Sequence, residues 1–235
     1  MRYKVLTFCL VLFVTIKISG QTNHFNWGIK IGGNIGAPMP FGHIPEGAKG
    51  APVVGLNLGS WVAWYFNPKL SMNLEFNYSV KGASFTTPLV NQYYEDPQYG
   101  PTYFNGTAEG KFDNQYLEWP VVLAYKVSKK VWIIGGVYFA YMFSTSTYAT
   151  GEGTVGVSPT IITRSLPFDD ELNKFDCGPE LGARYENGGR FMFDARLAYG
   201  LTSVFKKSYK TIDYSINNFY FQFAAHYRFG KDIVF

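Results

Sequence analysis

FYFQFAAHYRF, residues 219–229, alternates side chain by side chain. Phe219, Phe221, Phe223, Ala225, Tyr227 and Phe229 share one parity, and Tyr220, Gln222, Ala224, His226 and Arg228 share the other. Successive side chains of a strand point to opposite faces, so this period of two predicts a strand with one aromatic and one polar face. A helix would scatter Phe and Arg around its circumference. The stretch by itself leaves open which face meets water.

The pattern recurs along the chain. Strands are expected at 26–36, 53–66, 70–82, 114–127, 131–144, 175–186, 190–201 and in the segment holding the opening quotation. No sustained 3.6-residue period follows residue 20, so no long helix is expected. The connections NPK (67–69), SKK (128–130) and NGG (187–189) read as tight turns. Between them lie long links at about 37–52, 83–113, 145–174 and 202–217. Short turns at one end and long loops at the other is the asymmetry of an outer-membrane barrel. The expected fold is all-β: an eight-stranded antiparallel up-and-down transmembrane β-barrel. An even strand number puts both termini on the short-turn, periplasmic side.

The start of the chain agrees with export. Arg2 and Lys4 precede an apolar run from Val5 to about Ile16, and Ser19 and Gly20 precede Gln21. This is the layout of a cleaved signal peptide over residues 1–20, leaving 21–235 as the barrel domain. Without Arg2, Lys4 and Lys17, 18 of the 21 basic residues remain against 17 acidic ones, so the mature net charge is near +1. No basic stripe for nucleic acid is present. Once Cys9 leaves with the leader only Cys177 remains, which excludes an internal disulfide. Aromatics make up 19% and charged residues 16%, below the roughly 25% charged of soluble domains.

Small residues distinguish a lipid-facing barrel from a soluble one with its apolar face inside. The polar parity is crowded with Gly28, Gly32, Gly36, Gly136, Ala140, Gly178, Gly182, Ala198 and Gly200. A water-facing exterior does not require small residues, whereas the bore of a narrow barrel does. The aromatic parity therefore faces hydrocarbon. Trp27, Trp64, Tyr65, Tyr125, Trp132 and Tyr227, near strand ends, are expected in the interfacial girdles. Closure leaves no open edge in the membrane, so the last strand must pair with the first. The chain ends on Phe235, an aromatic of the kind outer-membrane assembly machinery reads.

The same parity sends Lys30, Glu75, Glu118, Asp176, Glu180, Arg184, Asp194, Arg196, His226 and Arg228 into the lumen. Buried charges are tolerable only as a mutually bonded network, so a filled plug is expected and not a channel. Pro120 and Pro179 fall inside strands. Proline removes a ladder donor, which predicts a bulge at Trp119–Pro120 with Glu118 turned inward against an Arg; alternatively, pairing starts after the proline.

GIKIGGNIG (28–36), NLEFNYSVKGAS (73–84), QYLEWPVVLAYKV (115–127), FDCGPELGARYE (175–186) and FDARLAYGLTSVF (193–205) follow one another. Together they resemble the PorT-type outer-membrane β-barrel family of Bacteroidota. Tyr116-Leu117-Glu118-Trp119-Pro120 is similar to that family's Tyr-Leu-Glu-hydrophobic-Pro signature, and Asp194-Ala195-Arg196 with Tyr199-Gly200-Leu201 is similarly typical. The resemblance covers nearly all of the mature chain except the long loops. It implies a Gram-negative outer-membrane location. As an alternative it implies an accessory role in protein secretion, since the founding member is associated with type IX secretion.

No Gly-x-Ser-x-Gly, His-Glu-x-x-His, phosphate loop or paired-Cys metal site is present, so a non-enzymatic protein without cofactor or metal is expected. The alternative is a lipid-modifying enzyme using His43, the one His in an outer loop, with Glu46 nearby. Loops on a rigid scaffold usually carry binding. In NQYYEDPQYGPTYFNG (91–106), Tyr93, Tyr94, Tyr99, Tyr103 and Phe104 either offer contact area to a partner or pack on one another and the lipid headgroups. The expected partners are the lipid bilayer, lipopolysaccharide and an unidentified protein or surface met through the outer loops. The expected oligomeric state is a monomer.

Overall fold

The computed structural model describes residues 24–41, 46–96, 100–165, 168–208 and 215–230. Residues 1–23, which include the expected leader, and the last five residues, Phe235 included, lie outside these. The described chain forms nine strands: β1 (Phe25–Phe41), β2 (Lys49–Asn67), β3 (Leu70–Asp96), β4 (Gly100–Lys126), β5 (Val131–Val155), β6 (Ile162–Ser165), β7 (Phe175–Glu186), β8 (Phe191–Ser203) and β9 (Ser215–Arg228). A single 3-10 turn, Asp169–Glu171, is the one helical element among the described residues.

Eight strands close a ring, each antiparallel to its neighbours, in the order β1, β2, β3, β4, β5, β7, β8, β9. β9 returns to β1 along a ladder from Gly28 opposite Arg228 to Phe41 opposite Ser215. The strand β6, which sequence reading missed, pairs only with β5 and stands outside the ring. The three tight turns are each tied by a side chain. Lys69 N donates to Asn67 Oδ1 at 2.8 Å, Val131 N to Ser128 Oγ at 3.1 Å, and Gly189 N to Asn187 Oδ1 at 2.9 Å. At Gly188 the backbone takes φ 89°, which only glycine adopts without strain.

The other end differs from expectation. The stretch 83–113 is not a loop: β3 and β4, each 27 residues long, continue through it as a paired hairpin, and β5 runs 25 residues beside them. Much of 37–52 is strand as well, since β1 reaches Phe41 and β2 begins at Lys49. By contrast β7 and β8 have 12 and 13 residues. The barrel thus carries a tall wall on one side. Its alternation is interrupted on two strands by shifts of register. One lies between Leu89 and Gln92, where Asn91 takes φ 50°, and one between Gln115 and Tyr116. The extra residue reverses which parity faces in on β3 beyond Leu89 and on β5 beyond Met142, while β4 buries one parity throughout, at Phe104, Ala108, Phe112, Tyr116 and Glu118. Toward its tip the wall's inner face buries a small cluster of Leu89, Phe104 and Ala108, backed by Val155 and Ile162.

Within the ring the parity holds. Leu74, Phe76, Leu123, Ile133, Val137, Phe139, Phe193, Leu197 and Phe223 are exposed around the outside, while Asn73, Glu75, Asn77, Lys30 and Arg196 are buried within. The small residues are forced by how closely neighbouring strands approach on the inner face. A Cβ on Gly32 would sit 1.9 Å from the Phe223 carbonyl oxygen, whereas one on outward-facing Gly33 would meet nothing closer than 3.3 Å. Trp27 and Trp64 stand outside, 54% and 47% exposed. Tyr65 and Trp132, expected beside them in a girdle, instead point inward. Trp132 is 3% exposed and packs with Tyr65 and Trp61 at the short-turn end of the bore. A strand end does not by itself place an aromatic outside; parity does.

No bulge forms at Trp119–Pro120. Trp119 and Pro120 stay in register with Phe139 and Tyr138 of β5, and the β3 ladder keeps one register on either side, from Leu74–Val121 to Asn77–Glu118. The proline interrupts the β3 pairing locally without shifting it, because its missing N–H removes a bond but adds no residue. At Pro179 no bulge forms either: pairing with β8 starts one residue later, at Glu180, while the ladder to β5 runs through the proline.

Candidate functional site

The bore is filled by two layers of charge. In the layer nearer the short turns, Arg196 of β8 is the centre. Its guanidinium lies 2.5 Å from Glu75, 3.2 Å from Glu180 and 2.5 Å from Asp194. Arg184 meets Asp194 with two parallel bonds, Nε to Oδ1 at 2.7 Å and Nη2 to Oδ2 at 3.0 Å, and donates to Asn73 Oδ1 at 3.2 Å. The register makes this fork possible, since Arg184 and Asp194 are direct cross-strand partners. Lys30 reaches over β2 to Glu75 at 2.6 Å, past Gly59, its side-chain-free partner on that strand. His226, opposite Lys30, places Nε2 3.2 Å from Asp194.

Of the second layer, sequence reading assigned Glu118 and Asp176 to the lumen but not the cation between them or the rings around it. Lys81 Nζ lies 2.5 Å from Glu118 and 3.6 Å from Asp176. Three tyrosine rings surround the same ammonium, with centroids at 4.1 Å (Tyr220), 4.4 Å (Tyr138) and 5.0 Å (Tyr116). A cation held over ring faces is attracted by the quadrupole, and more so when desolvated. Tyr138 Oη and Asn218 Nδ2 each donate to Asp176 at 2.9 Å, and Tyr220 Oη donates to Glu118 at 3.3 Å. Glu118 does turn inward as expected, but against Lys81 and not against an Arg. Lys81 already sat on the inward parity of its strand; the missing signal was that aromatics also belong inside, where tyrosine hydroxyls bond the carboxylates.

Above these layers the segment after β6 folds inward. Phe168 and Leu172 join Val204 and Phe205 and pack with Phe112, Tyr116 and Met142. Asn173 fastens this cork by donating from Nδ2 to the carbonyls of Ser203 and Phe205, at 2.8 and 3.0 Å. A cavity of about 10 Å³ beside Asn34, Lys81 and Tyr220 is at the lower limit for a single water. Among the described residues, four buried cations (Lys30, Lys81, Arg184, Arg196) face five buried carboxylates (Glu75, Glu118, Asp176, Glu180, Asp194). Nine of the ten residues assigned to the lumen are thus brought together. Arg228 sits half-buried at the rim, where Nη2 donates to the Gly189 carbonyl at 3.0 Å.

The aromatic set of 91–106 is divided. Tyr93 and Tyr103 are direct cross-strand partners on the hairpin of the tall wall, both exposed on its outer face. Phe104 points the other way and is buried with Leu89 and Ala108. Tyr94 stands opposite Thr102 in the ladder. Tyr99 and His43 lie outside the described residues.

Comparison with known proteins agrees with the architecture. A family model described as "Outer membrane protein beta-barrel domain" matches residues 19–206, more than half of the chain. No curated protein matches in sequence. Among solved structures, Ail, the attachment invasion locus protein of Yersinia pestis, is similar at 15% identity over 88% of this chain and 99% of that one, with a TM-score of 0.43. OprG from Pseudomonas aeruginosa is similar at 12% identity over 92% and 100%, with a TM-score of 0.37. Neisserial surface protein A is similar at 9% identity over 89% and 100%, with a TM-score of 0.39.

Proposed function

The chain belongs to the outer-membrane protein β-barrel domain family, and from that premise we propose that it is a non-enzymatic barrel that presents its tall wall outside the cell to bind a partner. The observation that carries this is the wall itself. β3 and β4 run from the last apolar belt position, Val80, to Asp96, on the order of 50 Å along the strand at 3.3 Å per residue. A structure that long is not needed to span hydrocarbon, and its tip exposes the Tyr93–Tyr103 pair. The orientation follows from the short turns, which in such barrels are periplasmic. Residues 1–20 are then a cleaved leader, 21–235 the barrel, and both termini lie in the periplasm. Lipopolysaccharide surrounds the wall's base, and the tip meets a protein or a surface. The lumen supports a scaffold role, because its acids and bases are bonded to one another and buried under the cork.

Deletion of residues 91–106 tests this. The variant should still assemble as a heat-modifiable band in the outer membrane and lose surface adhesion or partner capture. Undiminished capture by a correctly assembled variant would refute it.

A second reading, accessory service in protein secretion, rests on the resemblance to PorT-type barrels, whose matching residues fall in the lumen. Tyr116 and Glu118 build the Lys81 layer, and Asp194 and Arg196 the layer below. Cargo secretion unchanged in a knockout would exclude it.

A further inference from the structure

A groove of about 570 Å³ crosses the tall wall over β2, β3, β4 and β5. Register fixes which side chains share its outer face. Lys49, Thr86, Glu109 and Thr150 form one row, and Ala51, Ser84, Lys111 and Tyr148 form the next. The opposite parity, Phe112 and Ala149, is buried in the core, so both rows face outward. The floor is low because β3 contributes only the short Ser84 and Thr86. Lys49 rises on one side, and Glu109 and Lys111 on the other, about two strand spacings or roughly 10 Å apart. Tyr148 ends the groove with a ring that is 67% exposed.

We propose that this groove binds a pyranose sugar in the headgroup of a membrane glycolipid; the inference rests on the tall wall facing outside. The chemistry selects the class. Lys49 and Lys111 donate, Glu109 accepts, the Ser84, Thr86 and Thr150 hydroxyls do both, and an exposed ring offers a flat apolar face. A sugar ring presents the matching set, hydroxyls at its edge and C–H groups on its face. A phosphate fits less well: Glu109 lines the groove, and Lys111 is already paired with Asp113 at 2.8 Å. An added peptide strand fits less well too, since β3 and β4 are paired on both sides here.

Height selects the source. Ser84 lies four residues beyond Val80 in β3, about 13 Å along the strand and roughly 9 Å along the membrane normal at a tilt near 45°. The headgroup zone is about 5–8 Å deep on each side of the hydrocarbon. The groove therefore stands where the first sugars of a glycolipid emerge, not far out where a soluble glycan would arrive.

The test titrates the full barrel in detergent with lipid-free core oligosaccharide from rough lipopolysaccharide, with maltooligosaccharide and with inorganic phosphate. Calorimetry gives the affinities. The core oligosaccharide should bind saturably, and Tyr148→Ala and Glu109→Gln should each weaken it about tenfold, while Tyr93→Ala, at the hairpin tip, leaves it unchanged. Retained heat-modifiable mobility shows that each variant is folded. Absence of binding, insensitivity to both groove variants, full competition by phosphate, or equal affinity for maltooligosaccharide would overturn the proposal. Labelling of Thr86→Cys on intact cells by an impermeant maleimide separates the two levels. A labelled protein that binds no core sugar refutes the groove alone, and an unlabelled one refutes the outward wall.

Discussion

Replacing Arg196 with Met is the sharpest probe of the filled lumen. Arg196 holds three carboxylates, at 2.5 Å (Glu75), 3.2 Å (Glu180) and 2.5 Å (Asp194). Two of them have another cation: Lys30 remains 2.6 Å from Glu75, and Arg184 remains 2.7 Å from Asp194. Glu180, among the described residues, has Arg196 as its one ion-pair partner. The substitution therefore leaves one buried carboxylate without a partner in a layer that was balanced at three cations and three carboxylates. Breaking a buried pair in this way costs about 3–5 kcal/mol, far more than the intact pair contributes over an apolar substitute. The assay is urea-dependent folding into large unilamellar vesicles, followed by heat-modifiable mobility. Glu180→Gln in the Arg196→Met background should recover about 0.5–3 kcal/mol, the range of coupling between directly bonded groups. Stability of Arg196→Met within about 0.5 kcal/mol of the parent would mean that water solvates these carboxylates, and the sealed lumen would be wrong.

Further outcomes follow from the same geometry. Phe223→Arg, at the centre of the outward comb of β9, should cost about 2–4 kcal/mol in the vesicle assay, as a charge placed near the bilayer midplane does; a neutral result would contradict the outward parity. Gly32→Ala should yield no heat-modifiable band, because its Cβ would meet the Phe223 carbonyl at 1.9 Å, whereas the adjacent Gly33→Ala, 3.3 Å from the Gly55 carbonyl, should still assemble. Tyr220→Phe keeps the ring 4.1 Å from Lys81 and loses the bond to Glu118, so it should cost about 1–2 kcal/mol. Tyr220→Leu should cost about 1–2 kcal/mol more through loss of the cation–ring attraction; equal costs would show that the ring's face contributes nothing.

How much of this was legible in the sequence depended on how local the signal was. Alternation in 219–229 and 70–82 correctly assigned inner and outer faces, because a pleat has no other choice. The inward glycines marked a narrow bore, and the inward charges Arg184, Asp194 and Arg196 did meet. The height of the wall was not legible. Its strands are held by ladder bonds, and shifts at Leu89/Gln92 and Gln115/Tyr116 reverse the parity of β3 near its tip and of β5 along the wall, which interrupts the period a reader relies on. The cork of Phe168 and Leu172 was invisible because it depends on where the chain after β6 turns. Lys81 was missed since its cage is assembled from β4, β5 and β9, strands far apart in sequence. Trp132 and Tyr65 were misplaced by reading position along the strand ahead of parity.

The five tryptophans allow the direction of the side chains to be measured outright. Trp27, Trp64 and Trp119 are exposed on the outer face, while Trp61 and Trp132 are buried in the bore. Five single-tryptophan variants, with Phe at the other four positions, can be folded into vesicles of lipids brominated along the acyl chains. Fluorescence of the first three should be strongly quenched and that of Trp61 and Trp132 left nearly intact. Equal quenching of all five, or quenching confined to Trp61 and Trp132, would contradict a barrel that turns its rings to the lipid and its charges inward.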